Sequence, residues 1–301
     1  MIRLEEVRSF LQSVSEDGKN GWEMTTIRSI DDAAFDASSL GWCSDKNKEM
    51  LTGLKGGSVI VSKAVYAEMK DSLPQLGLIP VEKPRSAFLK VLQEFFAEKK
   101  TYGFIHPTAS IDPSVKFDPN TVYIGANVVL GKACVLGNRV TIGANTVIHA
   151  QTEIGDDCTL GSNNTIGGVG FGYELNEENE YELMPHIGNV VLKNKVEIGN
   201  NVCIDRAVLG STLLEENVKV DNLVHIAHGV KIGKNSLIIA NAMIAGSVEI
   251  GESVWVSPSA SIRQKLQVGD NALVGLGSVV VKNVAADSVV AGNPAKPFEK
   301  K

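Results

Sequence analysis

The chain has 301 residues, 44% of them hydrophobic and 21% charged, with a formal net charge of −6. That is ample apolar material for a core, and the mild acidity argues against nucleic acid or an anionic membrane as the main partner. The opening Met1-Ile-Arg-Leu-Glu-Glu6 has no apolar signal core and no long apolar run follows, so the expected location is the cytoplasm, without membrane insertion. Cys43, Cys134, Cys158 and Cys203 form no CxxC pair, and the three in or beside the repeats described below are expected to be small apolar filler.

Residues 1–103 predict a small α/β domain. Leu4, Val7 and Leu11 mark one helix face, and Ser58-Val-Ile-Val-Ser62 reads as a buried strand. Pro84 opens a further helix, with Phe88, Val91, Leu92, Phe95 and Phe96 at helical spacing. Between these elements lies Gly41-Trp-Cys-Ser-Asp-Lys-Asn-Lys48, a polar loop carrying Trp42 and Asp45. It is either a surface turn with a half-buried aromatic or a ligand contact.

From residue 104 to 290 an aliphatic residue recurs every six positions. The array starts at Ile105, Ile111 and Phe117, gains one residue, and continues through Ile124, Leu130, Leu136, Ile142, Ile148, Ile154, Leu160 and Ile166. An interruption rich in Gly, Glu and aromatics occupies about 167–191, a short slip follows at Leu209–Thr212, and Leu214 to Val280 then run in strict phase. A period of six fits neither an ordinary strand nor an amphipathic helix, but it fits a parallel β-helix with one flat side and one corner per hexad. Gly and Asn at the corners are expected because tight turns need φ > 0. Flat-sided solenoids commonly bury a side against copies of themselves, so a homotrimer is expected. Residues 291–301 form a short tail.

Chemistry must come from residues that break the hexad pattern. His228 takes a place in its hexad that is otherwise small or polar, which suits either a turn-capping histidine or a general base. Asp221, seven residues earlier, could orient it, and Gly246, one coil further on, could offer its N–H to an oxyanion. A metal is the competing use of His225 and His228. With no other His or Cys in phase no metal is expected, although a carbonic-anhydrase-like β-helix enzyme of the γ type stays open as a second class.

The order of parts is specific: an α/β domain, hexads, Gly170-Phe-Gly-Tyr173, Pro185-His-Ile-Gly188, Ile204-Asp-Arg206, Asp221-Asn222, then Ile226-Ala-His-Gly-Val-Lys-Ile-Gly233. It resembles the UDP-3-O-acylglucosamine N-acyltransferases of the lipid A pathway along nearly the whole chain. The resemblance implies a left-handed β-helix, His228 as base, Asp221 as its support, and an N-terminal domain that helps to hold the uridine. Some features depart from that family. Its aromatic-Asn-aromatic clamp appears here as Trp42, Asp45 and Lys48, a later family histidine aligns roughly with Lys265, and the carrier-protein-binding helix has no counterpart after Ala291-Gly-Asn-Pro.

The ending is similar instead to acetyl-CoA-dependent nucleotide-sugar N-acetyltransferases, in which the base falls at His228 and the glycine N–H at Gly246. The expected activity is therefore N-acyl transfer to a nucleotide-linked amino sugar, with acetyl-CoA as the preferred donor and an acyl-carrier-protein donor of the lipid A kind as the alternative. Trp42, Asp45, Phe171, Tyr173 and His225 are the candidates for the sugar-nucleotide end. Gly275, Leu276, Gly277, Gly292 and Lys296 are the candidates for the pantetheine.

Overall fold

The computed structural model describes residues 2–13 and 22–297, and the chain divides into two compact units, Met1–Lys100 and Thr101–Lys301. Residues 298–301 of the expected tail lie outside the described residues.

In the first unit four strands pair in parallel in chain order: Thr26–Ile27, Ser39–Trp42, Ser58–Ser62 and Gly77–Val81. Side chains alternate across a strand, so Val59 and Val61 enter one buried cluster and Ile60 another on the opposite face. Helix Lys63–Met69 covers the first cluster with Val65 and Met69, and helices Leu4–Phe10 and Pro84–Val91 cover the second. The expected polar loop is largely regular. Trp42 ends a strand and packs its ring against the Leu40, Ile60 and Ile79 cluster, and Asp45 opens a 3₁₀ helix, Asp45–Gly53.

The second unit is a parallel β-helix. Two-residue strands stack into a nine-stranded, a seven-stranded and an eleven-stranded sheet. Paired residues lie eighteen apart, as in Val129 with Val147 and His225 with Met243. Each hexad sends two side chains inward: the strand's aliphatic residue, and the small residue two places before it. Ile226 and Val224, or Ile244 and Ala242, are such pairs, and all of them join one continuous core. Cys134 and Cys158 take inward places and are fully buried, as expected. Cys203 does not: it is exposed on the outer face beside His225, because the strand alternation puts Ile204 inward instead.

Gly229 and Gly277 take left-handed corner places as expected, but the glycines directly after the aliphatic residues serve a different purpose. The left-handed residue of each corner falls three places after the aliphatic one, at Asn127, Asn145, Asn163, Asn235 and Asn241, and even at Leu223 and Lys265. The glycine directly after the aliphatic residue, such as Gly233 or Gly161, lacks a positive φ and is required by proximity. A Cβ at Gly233 would sit 2.5 Å from the backbone of Gly251 in the next coil.

The interruption lengthens the step between paired strands from eighteen residues (Val147 to Thr165, Thr165 being next) to thirty-eight, Thr165 to Cys203. Its extra residues form an antiparallel hairpin, Tyr173–Leu175 with Tyr181–Leu183. The later slip gives a step of twenty-two, Cys203 to His225. The array therefore stays in register through both.

The stacked core makes a direct prediction. Ile244 is 0% exposed, with Ile226 and Ile262 as its stacking partners in the adjacent coils. Ile244→Ala should cost about 2–5 kcal/mol, read as a fall in the denaturation midpoint. A cost below 1 kcal/mol would mean that the stack relaxes into the space.

Candidate active site

His228 stands at the corner that follows the strand His225–Ile226 of the nine-stranded sheet. Gly246 and Gln264 are the matching corner residues one and two coils on, by the register Ile226–Ile244–Ile262. At equivalent corners the N–H is capped by an Asp or Asn side chain one coil further along. Asn138 N–H donates to Asp156 Oδ1, Ser162 N–H to Asn200 Oδ1 and Glu252 N–H to Asp270 Oδ1. The column of His228 has no such cap: Gly246 follows His228 and Gln264 follows Gly246. Among the described residues neither N–H has an acceptor. The bare corner admits the imidazole, since a Cβ on Gly246 would lie 2.7 Å from His228 Nε2 and 2.8 Å from its Cε1.

The hairpin insertion closes the other side. A Cβ on Gly170 would meet His186 Nε2 at 2.8 Å and His228 Cβ at 3.0 Å, so glycine is what lets the chain pass beside both side chains. His186 is 7% exposed, and its ring stands at 80° to that of His228 with centroids 5.3 Å apart. Its Nδ1 is 2.7 Å from the Met184 carbonyl oxygen. Phe171 and Tyr173, with centroids 4.9 Å apart, join Tyr181, His228, Gly246 and Lys265 around a cleft of about 680 Å³.

Asp205 supplies the local negative charge. Its Oδ2 is 3.7 Å from His225 Nε2. Burial raises its pKa, and the charges of His225, His228 and His186 oppose that rise in decreasing order. Burial pushes His228 below the ordinary histidine value, with the His186 charge acting the same way and Asp205 against it.

The expectation that Asp221 orients His228 does not match the geometry within one chain. Asp221 sits at the corner after the eleven-stranded sheet, where Oδ1 accepts from Asn222 N–H and Oδ2 from Ala240 N–H. Gly275, Leu276 and Gly277 lie at that same corner, further along the register Val220–Ile238–Val256–Val274, with Leu276 73% exposed. Gly292 and Lys296 belong to the closing antiparallel pair Val289–Ala291 with Lys296–Pro297, Gly292 forming its turn. A single chain thus brings together His228, Gly246, Phe171, Tyr173 and the neighbouring His225, and leaves Asp221 and the pantetheine candidates on a different corner. Trp42 and Asp45 belong to the other unit.

Three participants are absent from the sequence expectations: His186, Asp205 and Tyr181. The first two stand inside quoted motifs, but only the insertion's path back to the corner brings them to His228. Among the described residues no three His, Cys, Asp or Glu side chains converge as a metal site requires, and no helix is long and apolar enough to cross a membrane.

The bacterial transferase hexapeptide family (six repeats) matches residues 119–150, 133–168 and 211–246. Those stretches carry hexapeptide repeats, and in the structure they form coils of the parallel β-helix. The chain's relatives give a narrower homology. It is 55% identical over 130 residues to UDP-3-O-acylglucosamine N-acyltransferase 2 of Legionella pneumophila, covering 43% of this chain and 38% of that one. The enzyme named UDP-3-O-acylglucosamine N-acyltransferase in Cytophaga hutchinsonii is 52% identical over 81 residues, covering 27% of this chain and 23% of that one. The matched stretches therefore span well under half the length of these relatives. Among solved structures, the Francisella novicida UDP-N-acetylglucosamine acyltransferase aligns over 65% of this chain and 70% of its own, with a TM-score of 0.51 and 24% identity. That likeness concerns the fold.

Proposed function

We propose that the chain is an N-acyltransferase that moves an acyl group from a thioester to the amine of a UDP-linked, 3-O-acylated glucosamine, the step that the named relatives perform in lipid A assembly. The observation that carries this reading is an imidazole laid across an uncapped glycine corner inside an aromatic cleft. His228 Nε2 takes a proton as the sugar amine attacks the thioester carbonyl, and Gly246 N–H receives the negative charge that develops on the carbonyl oxygen. Collapse expels the thiolate, which takes up the proton held by His228. Phe171, Tyr173 and Tyr181 offer apolar faces to the acyl chains and the sugar. Asp205 replaces Asp221 as the carboxylate that acts on the base within the chain. In a homotrimer, Asp221 and the Gly275–Gly277 corner of an adjoining copy would face the His228 corner and complete a groove for the pantetheine arm.

A carrier-protein donor replaces acetyl-CoA in this reading. The preference for acetyl-CoA rested on the form of the tail, whereas the relatives are named for N-acylation of a UDP-linked glucosamine that is already 3-O-acylated. The test is thiol release with a hydroxyacyl carrier protein and UDP-3-O-acylglucosamine, run beside acetyl-CoA with UDP-, dTDP- and GDP-linked amino sugars. Turnover only with acetyl-CoA would overturn the donor assignment. Turnover with neither would overturn the acyl-transfer reading.

The lowered pKa of His228 fixes the direction of one pH effect. The base works in its neutral form, so activity should be lost as pH falls through a value below the ordinary histidine pKa of about 6.5. A kcat/KM profile with its acid limb above 7 would contradict this.

A further inference from the structure

For His228 to act as a base through Nε2, its remaining proton must sit on Nδ1. In a neutral imidazole the tautomer is set by whatever partners the other nitrogen. The Nε2–Cε1 edge faces Gly246, since those are the atoms a Cβ there would meet. The opposite, Cβ end of the side chain is packed by Gly170 together with His186. The protonation of His186 follows from its surroundings. A backbone carbonyl only accepts, so the 2.7 Å contact with Met184 means that Nδ1 donates. Nε2 of the neutral ring is then a bare acceptor, and it is buried without any hydrogen-bond partner. A buried, unpaired acceptor in contact with a second imidazole is costly unless it gains a donor in the working state.

We propose that His186 is a positioning residue whose Nε2 accepts the Nδ1–H of His228, fixing the tautomer that leaves His228 Nε2 free to take the substrate's proton. The relay runs from the Met184 carbonyl through His186 to His228 and ends at the cleft. The two rings stand at 80° with centroids 5.3 Å apart, and a small rotation of the His228 ring in the free protein makes the bond. Asp205 and His225 at the cluster, with Lys265, Tyr173 and Tyr181 on the cleft, are the other charged or titratable groups beside these rings. Asp205 stabilises the imidazolium formed during the reaction, and His186 chooses which nitrogen does the work. This role rests on the proposed part of His228 as base, but its test needs no substrate.

The chain has 5 histidines, few enough for every ring to be resolved by long-range ¹H–¹⁵N NMR on ¹⁵N-histidine-labelled protein. At a pH above their titration, His186 and His228 should both appear as Nδ1–H tautomers. In His186→Leu, His228 should revert to the Nε2–H form that imidazole favours in water, while His186→Gln, which offers an amide oxygen, should retain Nδ1–H. A merely structural role for His186 would leave the His228 tautomer alone in any variant whose other ring signals are unchanged. An Nε2–H tautomer of His228 in the intact protein overturns the proposal, as does an unchanged tautomer in folded His186→Leu. Should the leucine variant not fold, the intact protein and His186→Gln still decide it. A failed acyl-transfer assay leaves these outcomes as they are, so the two readings fall separately.

Discussion

Replacing His228 with alanine is expected to lower turnover by about 10²–10⁴-fold, the range a positioned general base contributes. The β-helix should remain folded, because this side chain takes no part in the stack that holds the coils together. The inward places of its segment belong to Val224, Ile226 and Val230, which are at most 1% exposed. The corner backbone keeps its own bonds as well: Ala227 N–H donates to the Ile244 carbonyl, Gly229 N–H to Thr212 Oγ1, and Ser247 N–H to the His228 carbonyl. The expected pattern is a large fall in kcat, a small change in KM and an unaltered thermal midpoint. Residual turnover should persist, since holding amine and thioester together and binding the oxyanion do not need the imidazole. Near-normal turnover in the folded variant would remove His228 as the base and return it to the role of a turn residue.

The repeat was legible because its cause is one-dimensional. Each coil must place a branched aliphatic at the same angular position, so Ile226, Ile244 and Ile262 announce the register directly. The period does not say why a given corner residue is small. Gly233, directly after its aliphatic residue, clears the backbone of the next coil, whereas Gly246, two places after Ile244, clears an imidazole. His228 was legible as a departure from the pattern, and Gly246 as its neighbour one coil on. His186 and Asp205 were not. Their nearness to His228 depends on how a long insertion and a four-residue slip return the chain to the same corner, and no periodicity encodes that path. Asp221 was legible as lying one corner away from His228, and within one chain its carboxylate is held there by Asn222 N–H and Ala240 N–H.

Gly246→Ala is expected to cost about 10²-fold or more in turnover, and the reason can be separated from simple loss of fold. The new Cβ would fall 2.7 Å from His228 Nε2 and 2.8 Å from Cε1, closer than side-chain carbons approach such atoms. The ring cannot back away freely, because Gly170 and the buried His186 occupy its other end. The imidazole must swing sideways out of the uncapped corner, and a displacement of about 1 Å at a reacting group is enough for a loss of this size. The Gly246 carbonyl still accepts from Lys265 N–H, so the ladder between coils is kept. The same substitution in a His228→Ala background discriminates between causes. If the methyl acts by displacing the imidazole, it should cost little once the ring is gone, giving strong non-additivity in the double-mutant cycle. Fully additive losses would mean that alanine disturbs the oxyanion-binding N–H or the cleft itself. The close fit of glycine to histidine would then be packing, without a part in the chemistry.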